Sequence, residues 1–238
     1  MPYNGSFSFT IFHNNDIVKE KTEVHTMATP KELYYEKRGK ILVKNLQSRH
    51  FDAYYCANKE DALKKALELI PEGSCVGWGG AQTCEQIGLM KALHDGNYRP
   101  MDRSLAKDAQ AREQMMHDML SADVFLTGAN GLSLDGQMVN IDGTGNRVAA
   151  IVYGPKSIIV VAGMNKVEDT LEDAITRART VAAPMNNQRF SNDNPCSVTG
   201  TCGNCKNESC ICNQILITRH CRPAGRIKFI LVGEDLGM

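Results

Sequence analysis

The alternation of strand and helix patterns along this chain limits its fold more than any other feature. Residues 51–57 (FDAYYCA) and 74–78 have strand composition, and residues 59–70 between them place their apolar side chains on one helix face. Residues 157–162 (SIIVVA) are typical of a strand buried on both faces, and a helical pattern follows from about residue 167 to 182. Because parallel strands need such crossover helices, this order predicts a domain of the α/β class.

Further helix and strand patterns continue the same domain. Helical patterns cover residues 84–93 and 105–120, and strand patterns cover residues 123–127, 138–141, 214–218 and 227–232. Leu134-Asp135-Gly136 is a turn signal, so the segment around it is predicted to be a hairpin that returns through residues 138–141.

The domain is predicted to begin near Met27, where Thr29-Pro30 is a helix-start signal. Residues 1–26 look irregular, and we expect an extension outside the domain that occupies residues 27–238. The extension has no basic start followed by an unbroken apolar run, so a signal peptide is not expected. No apolar run reaches the length of about 18 residues that indicates a membrane-spanning helix.

The charge balance makes a small-molecule partner the default expectation. The sequence has 27 basic and 27 acidic side chains and no block of like charge, so it lacks the positive patch that nucleic acid or an anionic membrane would require. Oligomeric state is left open between a monomer and a homo-oligomer.

A cluster of cysteines marks residues 195–213 (PCSVTGTCGNCKNESCICN). Five of the nine cysteines of the chain lie there, separated almost only by small and polar residues. Such residues give a core little to bury, so something other than packing must order the segment, and a thiolate-bound metal or cluster is the leading candidate. Reduced surface cysteines, or a redox disulfide between Cys202 and Cys205, remain the alternative.

The rest of the cysteine pattern indicates a reducing compartment. The total is odd, and Cys56, Cys75 and Cys84 are scattered through ordinary helix and strand patterns. We therefore expect a cytoplasmic protein with reduced thiols.

A glycine-rich turn joins the strand at residues 74–78 to the following helix. The backbone amides of residues 76–83 (VGWGGAQT) would form a cradle for a phosphate or carboxylate, or the glycines would simply satisfy a tight turn. Trp78 is either core or a wall of the pocket. The candidate ligand-binding residues of this turn are Gly77, Gly79, Gly80 and Thr83.

Two polar, glycine-containing turns follow neighbouring strands, at residues 127–130 (TGAN) and 140–147 (NIDGTGNR). In open α/β folds the carboxyl ends of the strands form the ligand site, so these turns are predicted to meet there, although Asn and Asp beside Gly also form ordinary turns. Arg147 would clamp a carboxylate or phosphate, and Lys166 is either a further ligand contact or a solvated loop charge. The other candidate ligand-binding residues here are Asn130, Asn140, Gly143 and Asn146.

These segments together resemble a known family. Residues 77–89 (GWGGAQTCEQIGL), 127–167, 174–190 and the cysteine segment resemble the lactate-utilisation (LUD) domain family over roughly residues 27–238. The resemblance implies a NagB/RpiA/CoA-transferase-like fold with a Rossmann-like, mostly parallel sheet flanked by helices. It also implies a link to oxidation of L-lactate to pyruvate alongside iron–sulfur oxidoreductase subunits. Ala81 stands where the family usually has Ser, which weakens the case for bound phosphate.

The cysteine segment resembles the longer form of the family. The family pattern falls on four cysteines and leaves Cys210 as an extra thiol, while Cys221 is a candidate substitute ligand. One CxxC with two single flanking cysteines favours an iron–sulfur cluster slightly over zinc, which usually uses two close pairs. The implied metal ligands are Cys196, Cys202, Cys205 and Cys212.

Three functional hypotheses follow, and whether the protein is itself an enzyme is left open. The first is a component of an oxidoreductase system for lactate-type organic acids, with a small anionic substrate and a metal or cluster. The second is a stand-alone isomerase or transferase in which Glu85 or Asp142 is the general acid or base and Arg147 holds the substrate. The third is a ligand-binding regulatory module with structural zinc.

Overall fold

A computed structural model describes residues 27–238. The predicted extension at residues 1–26 lies outside the described residues. The described part contains a six-stranded sheet and a four-stranded sheet, both with helices packed against them.

All strand pairs of the six-stranded sheet are parallel, which confirms the predicted α/β architecture. The central strand β7 (Ser157–Gly163) is buried from its second residue to its last, as its apolar composition predicts. Across the sheet the order is β1 (Asp52–Cys56), β10 (Ile227–Val232), β7 (Ser157–Gly163), β4 (Val124–Thr127), β2 (Cys75–Trp78) and β3 (Arg99–Met101).

The four-stranded sheet is a separate, mixed sheet that the sequence patterns did not indicate. Its hairpin of β5 and β6 is the predicted one, with the turn at residues 134–137. The strand predicted at residues 214–218 pairs antiparallel with β6, whereas β8 pairs parallel with β5. The order is β8 (Val167–Glu168), β5 (Gly131–Ser133), β6 (Met138–Asp142) and β9 (Gln214–Thr218).

The helices connect and cover these strands. The predicted start of the first helix is confirmed, because Thr29 and Glu32 form a reciprocal capping box there. The helices are α1 (Pro30–Ser48), α2 (Lys59–Leu69), α3 (Gln82–Gln86), α4 (Leu89–Asp95), α5 (Ala109–Asp118), α6 (Asn146–Tyr153), α7 (Leu171–Arg177), α8 (Ala183–Asn187) and α9 (Pro195–Thr199).

Three predicted helices differ from the observed ones for local reasons. The helix predicted at residues 84–93 is broken into α3 and α4 at Gly88, whose φ of +80° is left-handed. The helix predicted at residues 105–120 begins later, because the Asp108 side chain caps it by accepting from the Ala111 amide at 2.7 Å. The helix predicted from residue 167 starts only after the Thr170 cap, and a π-helical turn joins α7 to α8.

The core covers both faces of the six-stranded sheet, as expected for parallel strands. Alternate residues of β7 point to opposite faces, so Ile158 packs in the cluster with Leu42 and Phe229, and Ile159 packs in the cluster with Ala66 and Leu93. No helix within residues 27–238 is both long and apolar enough to cross a bilayer.

Candidate functional site

A cavity of about 650 Å³ lies at the carboxyl ends of β2, β4 and β7. This is the edge at which parallel α/β sheets bind ligands, and the volume is within the usual range for small-molecule sites. The structure thus brings together residues of three segments that the sequence had singled out. The predicted site residues that line the cavity are Gly80, Thr83, Asn130, Asp142, Gly143, Asn146, Arg147 and Lys166.

The cavity is strongly positive although the whole sequence has equal numbers of basic and acidic side chains. Among the described residues, Asp142 and Glu208 are the only acidic side chains in its lining, and Met238, the last residue of the sequence, also borders it. A concentration of cations in a concave site attracts anionic ligands and strengthens their binding. The basic residues that line the cavity are Arg103, Arg112, Arg147, Lys166 and Arg189.

Arg147 is positioned by three contacts. Its Nη2 donates to Asn130 Oδ1 at 2.9 Å and to the Ile141 carbonyl, and its Nε lies 3.6 Å from Asp142 Oδ2. Burial lowers the pKa of this guanidinium, while Asp142 raises it. Within residues 27–238, Nη1 donates no hydrogen bond, so one edge of the guanidinium is available to a ligand.

Asp142 is used mainly to hold the start of α6. Its Oδ2 accepts from the Arg147 amide at 3.1 Å and from the Val148 amide at 3.2 Å, as a helix-capping carboxylate does. The same oxygen faces the Arg147 side chain. Asp142 therefore fits the role of positioning Arg147 better than that of a proton-transfer group.

Lys166 is buried, contrary to the alternative that it is a solvated loop charge. Only 4% of the residue is exposed, and Nζ donates to the Ala129 carbonyl at 3.1 Å and to Thr83 Oγ1 at 3.3 Å. It forms no ion pair with a carboxylate in the described part of the chain. Burial, followed by repulsion from Arg177 and Arg147, lowers the pKa of Lys166 to about 7.

Arg177, which the sequence did not single out, supports the same site from α7. Its Nη1 donates to the Asn130 carbonyl at 2.6 Å and its Nε donates to the Asn165 carbonyl at 3.1 Å. Asn130 is thus held from two sides, because its side-chain oxygen also accepts from the Ile141 amide at 2.9 Å. An isolated arginine in a helical pattern carries no sequence signal of this role.

The cysteine segment forms one wall of the cavity. Residues 208–211 and Asn213 line it, so Cys210, the extra cysteine of the segment, borders the same space as Arg147 and Lys166. Two hydrogen bonds from Asn213 fix this wall, one from its amide to the Asp142 carbonyl at 2.9 Å and one from Nδ2 to the Gly143 carbonyl at 3.0 Å.

Buried asparagines order the cysteine segment. Asn187 Nδ2 donates to Ser197 Oγ at 2.6 Å and lies 3.2 Å from the sulfur of Cys196. Asn194 Nδ2 donates to the Ser209 carbonyl at 2.9 Å, and the Ser209 hydroxyl donates back to Asn194 Oδ1 at 2.9 Å. A polar network therefore orders a segment that has little apolar surface to pack.

The five thiols of the segment are neighbours. Burial, followed by the nearby thiols of Cys210, Cys202, Cys196 and Cys205, raises the pKa of Cys212 to about 12. Burial also raises the pKa of Cys205, as does its hydrogen bond with Cys210. All nine cysteines are free thiols within residues 27–238, and no three metal-ligating side chains of that part converge on one point.

Comparison with known proteins identifies the family. The sequence matches the LUD domain over residues 39–232. The chain belongs to the LUD domain family. A crystal structure at 1.70 Å of a DUF162 family protein from Deinococcus radiodurans is similar at a TM-score of 0.46 and 12% identity, covering 84% of this chain and 97% of that chain. Among curated proteins, none matches this sequence.

Other candidate residues of this LUD domain lie outside the main cavity. Gly77 is within β2, where a Cβ atom would come 2.7 Å from Met119 Cγ, so this glycine serves packing. Gly79 gives room to the Arg147 side chain, whose Cβ would be 3.3 Å from an added methyl group. Asn140 is fully buried and its Nδ2 donates to the Gly128 carbonyl at 3.0 Å.

Glu85 lies in a second, adjoining cavity of the LUD domain. This cavity measures about 380 Å³ and is lined by Trp78, Glu85 and Asp102, so Trp78 is both a core residue and a pocket wall. It shares Gly80, Gln82, Arg103 and Arg189 with the main cavity. The two spaces are therefore neighbouring compartments, and Glu85 is separated from the group formed by Arg147 and Lys166.

Proposed function

We propose that this LUD-domain protein binds a small organic acid of the lactate type in the cavity around Arg147 and works as a component of an organic-acid oxidoreductase system. The observation that carries the proposal is the excess of cations in the cavity, including a buried lysine without a carboxylate partner in residues 27–238. Gathering several basic side chains in one cavity is unfavourable unless an anion joins them, so a bound carboxylate would relieve a repulsion that the two acidic side chains of the lining do not balance.

The proposed binding mode uses the available edge of Arg147. A carboxylate that accepts hydrogen bonds from Nη1 would also lie in the field of Lys166. Asn130 and Asp142 would keep the guanidinium in place while the ligand enters. Asp142 is occupied as a helix cap and Glu85 lies in the adjoining cavity, so the alternative of an isomerase or transferase using these carboxylates receives less support.

Ligand-induced stabilisation tests this proposal. L-lactate and pyruvate should raise the unfolding temperature in a saturable way, while lactamide, which has the shape of lactate without its charge, should not. A ligand at about 100 times its Kd would add about 2.7 kcal/mol to the free energy of unfolding. Sodium chloride at equal ionic strength is the control. Equal stabilisation by lactate, lactamide and chloride would refute the proposal.

We further propose that the cysteine segment holds a thiolate-bound metal, an iron–sulfur cluster in preference to zinc, with Cys196, Cys202, Cys205 and Cys212 as its ligands. The support is chemical: the segment has five neighbouring thiols, the donor type that both groups use, and a bound metal would have to draw together thiols that do not converge within residues 27–238. When bound, a cluster would supply single-electron transfer, with iron–sulfur oxidoreductase subunits as partners. Such thiols need a reducing compartment, so the proposal places the protein in the cytoplasm.

Metal content of serine variants tests the ligand assignment. Cys202→Ser should remove most of the metal from anaerobically purified protein, whereas Cys210→Ser should retain it. Metal analysis gives the stoichiometry, and a visible absorbance band that bleaches with dithionite would distinguish a cluster from colourless zinc. Equal metal loss in both variants would contradict the assignment.

A further inference from the structure

Lys166 has the surroundings of a reactive amine. It ends a short 3-10 turn after β7, and its Nζ contacts two neutral oxygen atoms, the Ala129 carbonyl and Thr83 Oγ1. A structural lysine that is buried normally pairs with a carboxylate. No carboxylate in residues 27–238 pairs with Lys166, and Lys166 lines the cavity.

Two glycines keep space around the amine. A Cβ atom on Gly237 would lie 2.7 Å from Lys166 Nζ, and one on Gly128 would lie 3.8 Å from it and 3.1 Å from Thr83 Oγ1. Any side chain at either position would crowd Nζ or its hydrogen-bond partner. The absence of side chains there lets the backbone pack against the amine without crowding it, and the cavity that Lys166 lines supplies the space for a small substituent.

The charges around Lys166 favour the neutral amine. Burial lowers the pKa of Lys166 most, and repulsion from the guanidinium groups of Arg177 and Arg147 lowers it further. The nearby Cys84 raises this pKa. A neutral amine has a free electron pair and is a nucleophile, whereas an ammonium group is not. The same two arginines would attract the carboxylate of a ligand.

We propose that Lys166 forms an imine with the carbonyl carbon of a 2-oxo acid bound in the cavity. This inference rests on the proposed binding of lactate-type acids, of which the 2-oxo acid is the oxidised form. With the carboxylate held by Arg147, the adjacent carbonyl group would face Nζ.

The reaction needs no oxidant. The electron pair of Nζ forms a bond to the carbonyl carbon, and the carbonyl oxygen takes up a proton to give a carbinolamine. The carbon–oxygen bond then breaks as water leaves with the second amine proton, which gives a carbon–nitrogen double bond. Addition of water reverses each step and restores the lysine and the 2-oxo acid.

Reductive trapping tests the imine. The full-length protein is incubated with pyruvate and sodium borohydride, which reduces an imine to a stable secondary amine, and the adduct is located by intact mass and peptide mapping. We expect one adduct per chain, on Lys166. Lys166→Arg should lose it, and the matched change Lys156→Arg, at an exposed lysine, should keep it. Adducts spread equally over surface lysines would overturn the inference.

A second pair of variants covers the case in which Lys166→Arg does not fold. Gly128→Ala should reduce the adduct yield, while Lys64→Ala, at an exposed position on α2 away from the cavity, should not. If pyruvate raises the unfolding temperature but no adduct forms, the imine is refuted and the proposed function stands. If there is neither stabilisation nor adduct, both are refuted.

Discussion

Lys166 loses its hydration on folding and gains only two neutral hydrogen-bond acceptors within residues 27–238. Its pKa accordingly falls from the ordinary value of 10.5 to about 7, mainly through burial and then through Arg177 and Arg147. Between these two values the unfolded chain binds more protons at this residue than the folded one does. The contribution of Lys166 to the free energy of unfolding therefore rises with pH through this window.

Replacing Lys166 with Met should remove this pH dependence. We expect the variant to gain stability relative to the native protein at pH 7, and to gain less at pH 9, because the native protein becomes more stable as the pH rises through the window in which only the unfolded chain still binds the proton. Urea unfolding at both pH values measures the difference. Lys156→Met, at an exposed site, is the control. A stability difference that is the same at both pH values would contradict the pKa shift.

Residues of the site differ in how far the sequence could reveal them. Asn130 and Arg147 follow strands in polar, glycine-containing segments, and that position predicted their meeting at one sheet edge, whereas the sequence left Lys166 open between a ligand contact and a solvated loop charge. Arg103 and Arg189 come from segments without such a pattern. Their contribution depends on long-range packing, which local spacing does not report.

At the scale of elements, the close approach of α7 to β5 depends on one glycine. A Cβ atom on Gly131 would overlap the carbonyl oxygen of Ala174 and lie 3.1 Å from its carbonyl carbon. These are backbone atoms of a packed helix, so they cannot move aside as a flexible side chain would.

Gly131→Ala should therefore destabilise the protein by about 1–3 kcal/mol, the usual cost of overpacking. Gly80→Ala, with open space around the added methyl group, should change stability much less. The free energies of unfolding from denaturant titration measure both effects. If the two variants are equally stable, α7 is not packed against β5 as described.

The elements themselves were largely predictable, but their grouping into sheets was not. Apolar runs predicted β7 and β10, and capping residues predicted the start of α1. The pairing of β9 with β6 in a second sheet was not predictable, because strand composition does not specify the partner strand. That second sheet brings the cysteine segment, which directly precedes β9, against the cavity.

At the scale of the whole molecule, equal numbers of basic and acidic side chains conceal a local excess of positive charge. Composition alone excluded nucleic acid as an expected partner, but it could not reveal a cavity with several cations. The cysteine segment, which the sequence presented as a separate metal-binding feature, contributes a wall to that cavity. The segment proposed to hold the metal would therefore also border the proposed carboxylate site.

Calorimetric titration of the native protein with pyruvate tests the central proposal most directly. We expect saturable binding at one site per chain, lost in Arg147→Gln and retained in Arg99→Gln, which changes an exposed arginine on β3. Circular dichroism confirms that each variant is folded. Binding that is undetectable in the native protein, or unchanged in Arg147→Gln, would contradict a carboxylate site at Arg147.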